Sequence, residues 1–307
     1  MESTSIIKLN NVSKSYNGTK ALNNCTCEVQ RGEIFGLLGP NGAGKTTTLE
    51  IIEGLIHADQ GSVQVCNGEM PQEAEKVRRR MGIQLQNSGL PNDITAGEAI
   101  KLFAAYRKVK VNDGLLNTFK LDKLTTKKYS ELSGGQKKSL QLCLALLHDP
   151  ELVILDEPTA ALDVETRNYL HAIIKDLKSR GKTVIISTHD MSEAESLCDR
   201  IAILIKGEIA ALGTPREITS GNSRELKISI KSRNSTLLDN PDFVRENIAS
   251  TYKLNDYRVY FSDNATQSIL EIIKKIEQAN DEIIDFRVER PSLEEKLIEL
   301  IQKGKKI

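Results

Sequence analysis

The sequence has no excess of either charge. Its 42 lysine and arginine residues stand against 42 aspartate and glutamate residues, so the formal net charge is zero. A general nucleic-acid binder normally carries a strongly basic domain, and none is expected to be this chain's partner. Long apolar runs are absent too. The densest stretches, Leu142–Leu147 and Ile201–Ile205, are core-sized. Neither approaches the roughly 18–20 apolar residues that a membrane-spanning helix needs. The first residues, MESTSIIKLNN, lack a charged start, an extended apolar stretch and a small-residue cleavage site, so they do not read as a secretory signal. Cysteine is scarce: Cys25, Cys27, Cys66, Cys143 and Cys198 form an odd, scattered set. Cys25 and Cys27 alternate within an expected strand, but no second pair completes a metal-ligand set. Reduced thiols in a cytosolic protein are the expectation.

What is present is an ordinary globular composition, 39% hydrophobic and 27% charged over 307 residues. That length has room for one large domain and a small one. Residues 6–16 and 21–38 read as strands broken by the Asn17-Gly18 turn, and 61–85 as strand around Asn67-Gly68. From about 92 to 147 the pattern is mostly helical, with Ile100, Leu102, Phe103 and Ala104 near one side. Beyond it, strands at Leu152–Leu155, Thr183–Ser187 and Ile201–Ile205 alternate with helices at 164–179 and 191–198. Such alternation predicts βαβ units and a largely parallel sheet, an α/β fold. At Thr219–Ser223 the composition turns into linker, which divides the chain into 1–220 and a small α/β module at 221–307. In that module Leu226, Ile228 and Ile230 alternate as a strand, as do Ile284, Phe286 and Val288. Ile269, Ile272, Ile273 and Ile276 fit a helix face, and Ser292 with Glu295 forms a capping box before a final helix.

Three motifs carry chemistry. Gly39-Pro40-Asn41-Gly42-Ala43-Gly44-Lys45-Thr46, followed by Thr47, fits G-x-x-x-x-G-K-[ST] between an expected strand, Ile34–Leu38, and a helix. Its glycines let the loop wrap tightly, so successive backbone N–H groups point inward at phosphate oxygens. Lys45 would reach the β- and γ-phosphates and the Thr46 hydroxyl would bind Mg²⁺. Leu152-Val153-Ile154-Leu155-Asp156-Glu157 is an apolar strand ending in two carboxylates. Asp156 would hold Mg²⁺ through water, and Glu157 would orient or deprotonate the attacking water. By itself this pattern is common, since acidic residues often end strands. Leu132-Ser133-Gly134-Gly135-Gln136, at the start of a helical stretch, supplies a second phosphate-facing helix N-terminus.

With that third motif the chain resembles the ABC ATPase family, whose signature is LSGGQ, and the resemblance runs over residues 6–218 in the family's motif order. It implies a P-loop NTPase core with an antiparallel β subdomain and a helical signature subdomain. It also implies roles for further residues. Tyr16 would stack on adenine. Gln86, in Met81-Gly82-Ile83-Gln84-Leu85-Gln86, would contact Mg²⁺, water and the transmembrane partner, with Gln84 as an alternative register. Ala161-Leu162-Asp163 resembles the loop that crosses the dimer interface, and His189 the switch histidine that contacts the γ-phosphate. Ser133, Gly134, Gly135 and Gln136 would bind the ATP held by a second subunit. One position departs from the family: three places after the signature glutamine, where a basic residue is usual, stands Ser139, preceded by Lys138.

The resemblance implies an ATP-hydrolysing subunit using ATP and Mg²⁺, working as a homodimer or with a related ATPase at the cytoplasmic face of the membrane on a separate permease. The string Thr188–Glu195 with Leu197-Cys198-Asp199-Arg200, and the tail Pro291–Glu295, are similar to the bacterial drug and peptide exporter branch. The C-terminal module reads as a stabilising or dimerising appendage rather than a ligand sensor. Two rivals come from other classes, a soluble ABC ATPase of translation or DNA maintenance and a subunit that binds ATP without hydrolysing it. A single cassette without a long coiled coil argues against the first, and intact Lys45, Asp156, Glu157 and His189 against the second.

Overall fold

The computed structural model describes residues 4–85, 89–220, 226–234, 250–262 and 264–303. The chain divides into two units, Met1–Pro215 and Arg216–Ile307.

The first unit opens with two strands, β1 (Ser5–Tyr16) and β2 (Thr19–Gln30), joined at the Asn17-Gly18 turn. They pair antiparallel, and β4 (Gln60–Val65) and β5 (Gly68–Met70) extend the sheet in the order β2-β1-β4-β5. The second sheet runs β10-β9-β3-β8-β7-β6. Its strands are β3 (Ile34–Leu38), β6 (Met81–Gln84), β7 (Leu152–Asp156), β8 (Thr183–Thr188), β9 (Arg200–Ile205) and β10 (Glu208–Gly213). All neighbours are parallel except the β9–β10 hairpin at one edge. Every residue of β3, β7 and β8 is buried, which is why these strands read as unbroken apolar runs: a parallel sheet covered on both faces gives no polar alternation.

Helix α1 (Lys45–Glu53) lies between the sheets. Leu49, Ile51 and Ile52 of α1 share one apolar core with Ile7, Leu9, Val63 and Val65 of the antiparallel sheet and Phe35, Leu37, Ile154 and Ile185 of the parallel one. Burying each such side chain stabilises by about 1.5–3 kcal/mol, so the core fixes the loop that opens α1 to both sheets at once. The remaining helices of this unit are α2 (Ala74–Arg78), α3 (Ala96–Arg107), α4 (Asp113–Thr118), α5 (Gly134–Leu146), α6 (Val164–Ser179) and α7 (Met191–Leu197).

Several sequence expectations need correction. The stretch 21–38 is two strands, split at Arg31-Gly32, and α2 interrupts the strand character expected around Asn67-Gly68 over 61–85. Ile100 and Ala104 are buried in α3 but Leu102 is 59% exposed. At 100° per residue Leu102 is turned far round the helix from Ile100, so it cannot share the buried stripe. Among the described residues no helix is long and apolar enough to cross a membrane.

The second unit holds a four-stranded antiparallel sheet in the order Ser250–Leu254, Tyr257–Ser262, Leu226–Ser232, Ile283–Glu289. The first two strands, joined by a tight turn at Asn255 with φ 52, had no counterpart in the sequence reading. Ile272 and Ile276 of the helix Ala265–Gln278 pack on Ile228, Ile230 and Tyr260. Ser292 and Glu295 form the expected reciprocal cap, with N–H to side-chain distances of 2.9 and 3.2 Å.

Candidate functional site

Strand order brings the chemistry together. β8 lies between β3 and β7, so the loop after β3, the carboxylates after β7 and the residues after β8 share the C-terminal edge of three adjacent strands. Ligands of open α/β sheets bind at that edge. Neighbouring strands are about 4.8 Å apart, so the site is about 10 Å across, wide enough for a phosphate between its walls.

The Gly39–Thr46 loop closes on itself. The Ala43 N–H donates to Pro40 O at 3.1 Å, and the Lys45 ammonium donates to Gly39 O at 2.7 Å and Pro40 O at 3.2 Å. Gly44 has φ 107, and a Cβ there would stand 2.6 Å from the Ala21 carbonyl oxygen. Only glycine combines that backbone with that approach to β2. Burial lowers the Lys45 pKa, opposed by Glu157 and Asp156, which favour its charge. Thr46 is exposed on the first turn of α1.

Asp156 ends β7 nearly buried and accepts a short hydrogen bond from Ser187 Oγ. Burial raises its pKa, Glu157 adds to the rise, and the Ser187 bond, Lys45 and Lys138 oppose it. Glu157 has φ 47, left-handed for a residue with a side chain. Its N–H donates to Ser187 O at 3.1 Å and Oγ at 3.2 Å, and its Oε1 lies 3.0 Å from His189 Nδ1.

The signature residues form the capped start of α5. The Ser133 N–H donates to Gln136 Oε1 at 3.0 Å and Ser133 Oγ accepts from the Gln136 N–H at 3.3 Å. A Cβ on Gly135 would meet Thr166 Cγ2 at 2.7 Å, while Gly134 faces open space. Among the described residues no hydrogen bond or ion pair joins Ser133, Gly134, Gly135 or Gln136 to the Gly39–Thr46 loop. Further along α5, Ser139 is buried, and the Lys138 ammonium donates to the Glu157 carbonyl oxygen at 3.3 Å. Burial lowers the Lys138 pKa against the pull of Asp156 and Glu157.

Tyr16 stands 44% exposed at the end of β1. Asp59 steadies that end, accepting from the Lys14 ammonium and the Ser15 N–H, each at 2.7 Å. Asp163 caps α6, accepting from the Thr166 N–H at 2.9 Å and hydroxyl at 2.8 Å. Gln86 lies outside the described residues; Gln84 is buried in β6 beside Leu155. The structure thus gathers Lys45, Asp156, Glu157 and His189 and leaves Ser133–Gln136 apart from them. It adds Ser187, Thr159 and Glu193, which the sequence reading did not single out. Each is a lone polar residue whose partner lies on another element, so no local pattern marked it.

Residues 22–160 match the family model described as ABC transporter. The Nod factor export ATP-binding protein I of Burkholderia orbicola is 39% identical over 218 residues, covering 69% of this chain and 72% of that protein. A solved ATP-binding subunit of an ABC transporter aligns at TM-score 0.65 and 29% identity, covering 70% of this chain and 92% of the other. A dimeric ATP-binding cassette in a post-hydrolysis state with ADP and Pi aligns at TM-score 0.63 and 30% identity, covering 68% and 98%.

Proposed function

The chain belongs to the ABC transporter family as an ATP-binding subunit, and we propose that its two carboxylates and His189 hydrolyse ATP in a head-to-tail dimer that drives export through a separate membrane permease. The observation that carries this reading is the 3.0 Å contact between Glu157 and His189 on the strand ends beside Lys45. The direction, export, rests on the name of the Burkholderia relative.

In this mechanism the Gly39–Thr47 loop wraps the phosphates, and Lys45 exchanges its loop carbonyls for β- and γ-phosphate oxygens. Glu157 accepts a hydrogen bond from the attacking water and orients it in line with the γ-phosphate. His189, held by Glu157, presents its other ring nitrogen to the γ-phosphate, where charge develops. Tyr16 offers an exposed ring for adenine. The first-turn N–H groups of Gly134 and Gly135 precede α5's own hydrogen bonds and would take γ-phosphate oxygens of the partner's ATP. ATP then joins two subunits, and loss of its γ-phosphate removes the contact that favours the closed pair.

Mg²⁺ fits the donors present. The Asp156 carboxylate and Thr46 hydroxyl are hard oxygen donors, and the pKa of Asp156 is raised by burial, a state that a cation would relieve. Among the described residues no cluster of three or more His, Cys, Asp or Glu side chains could hold a metal by itself, so the phosphates would complete this coordination. When bound, Mg²⁺ neutralises charge on the phosphate oxygens. Gln86, two residues beyond β6 in the sequence, would join it. We place the motor in 1–220, at the cytoplasmic face of the membrane, and assign 221–307 to an accessory module.

The test is Mg²⁺-dependent ATP hydrolysis by wild type beside Glu157→Gln, with oligomeric state recorded with and without ATP. The variant keeps ATP binding, loses turnover about 100- to 1000-fold and accumulates as an ATP-dependent dimer. Wild-type turnover in Glu157→Gln would remove Glu157 from the role given to it.

A further inference from the structure

One buried carboxylate beneath the site belongs to none of the roles above. Glu193, near the start of α7, is only 3% exposed. Its carboxylate accepts a short hydrogen bond from Thr159 Oγ1 and lies 3.1 Å from His171 Nε2 of α6. Thr159 is two residues beyond Glu157, and Thr188 immediately precedes His189. One side chain therefore ties the chain leaving β7 to the start of α7, about one helical turn beyond His189, and Glu157 and His189 themselves meet at 3.0 Å.

The tie answers a local need. Glu157 holds a left-handed backbone at φ 47 and Ala161 another at φ 60, so the segment between them is bent in a way that side-chain-bearing residues resist. Such conformations persist only where the surroundings over-determine them. Thr188 Oγ1 accepts the Asp190 N–H at 3.0 Å. Asp190 in turn caps α7 through the N–H groups of Ser192 at 2.9 Å and Glu193 at 3.2 Å. Burial works against ionisation of Glu193, yet His171, Thr159 and Thr188 around it hold its pKa below the ordinary carboxylate value. A buried polar network of this kind, with its members satisfied, selects one arrangement of the elements it joins.

We propose that Glu193 is a positioning residue for hydrolysis: by clamping Thr159 to the start of α7 it sets the distance between Glu157 and His189. Buried at the start of α7, it acts through Glu157 and His189 rather than on the reacting atoms. The inference rests on the catalytic reading of Glu157 and His189 given above. It differs from a purely structural role in its consequence, because loosening the clamp displaces the pair while the phosphate loop and Lys45 stay in place. Misplacing a reacting group by about 1 Å costs on the order of 100-fold in rate.

The experiment measures single-turnover ATP hydrolysis and ATP affinity on the full chain for Glu193→Gln, Thr159→Val and Thr159→Ser, the first also in a His189→Ala background. Glu193→Gln and Thr159→Val are expected to slow hydrolysis roughly 10- to 100-fold with affinity within about threefold of wild type. Thr159→Ser, which keeps the hydroxyl, should restore the rate. In the His189→Ala background the further loss from Glu193→Gln should shrink to less than about threefold, because the geometry it protects is already gone. The same loss in both backgrounds, unchanged hydrolysis in Glu193→Gln, or affinity falling in step with rate would each overturn the inference. If Glu193→Gln does not fold, the contrast between Thr159→Val and Thr159→Ser decides. An active Glu157→Gln enzyme would sink the catalytic reading and this inference with it; an inactive Glu157→Gln beside an active Glu193→Gln would sink this inference alone.

Discussion

His189 meets Glu157 at 3.0 Å from 32 positions further along the chain, and this contact joins two parts of the sequence that are unremarkable when read separately. If the pair acts as a unit, its members are not interchangeable contributors. His189→Ala should lower the rate of hydrolysis about 100- to 1000-fold. Adding His189→Ala to Glu157→Gln should cost little more. Single-turnover rates for the two variants and the double variant check this; multiplicative losses would show independent roles.

The phosphate loop should be intolerant of a single methyl group. Gly44→Ala sets a Cβ against the Ala21 carbonyl oxygen and forces φ 107 on a residue that resists it. ATP affinity should fall at least about tenfold, as it should for Lys45→Ala, which removes a charge-assisted contact. The two differ in the apo protein, where Gly44→Ala alone should lower the melting temperature. Equal melting temperatures would count against the strain argument.

Glu53 predicts a pH-dependent stability. It closes α1 at 1% exposure, neither carboxyl oxygen has a hydrogen-bond partner among the described residues, and burial, then Asp156 and Glu50, push its pKa up to about 8. The unfolded value is the ordinary 4.5. Between these values the folded chain binds a proton that the unfolded chain lacks. The stabilising contribution is therefore complete below about 4.5 and is lost as pH rises to about 8. Glu53→Gln should remove this dependence, gaining up to a few kcal/mol on wild type between pH 5 and 8.5. Urea unfolding of both proteins across that range is the measurement; a constant difference would show that Glu53 does not titrate there.

At Ser139 the usual family residue should be harmful. Ser139 is buried, and Lys138 already reaches the Glu157 carbonyl at 3.3 Å. Ser139→Arg would overpack that place and bring a second cation beside Lys138, at a cost of about 1–3 kcal/mol. A variant more stable than wild type in urea would show that the helix has room for both.

Much of the site was legible because its motifs are local. Gly39–Thr46 spells out G-x-x-x-x-G-K-T in consecutive residues, and Leu152–Glu157 joins its apolar strand to the two acids that end it. The Ser292–Glu295 cap was equally plain, since a capping box needs only residues three apart. Leu102 is apolar yet exposed, because apolar character alone ignores the 100° step, and the strands over 250–262 are hidden in the sequence because their alternation is weak.

The sequence alone determined the identity and order of the motifs, and with them the family, because each is specified by neighbours along the chain. Tertiary structure alone decided that β8 lies between β3 and β7 and that His189 faces Glu157. It also decided that Lys138 turns toward the end of β7 and that Glu193 gathers Thr159 and His171 under the site. Those facts depend on which strands pair and which helices cover them, and pairing is settled by burying distant apolar faces together, which no single stretch of sequence encodes.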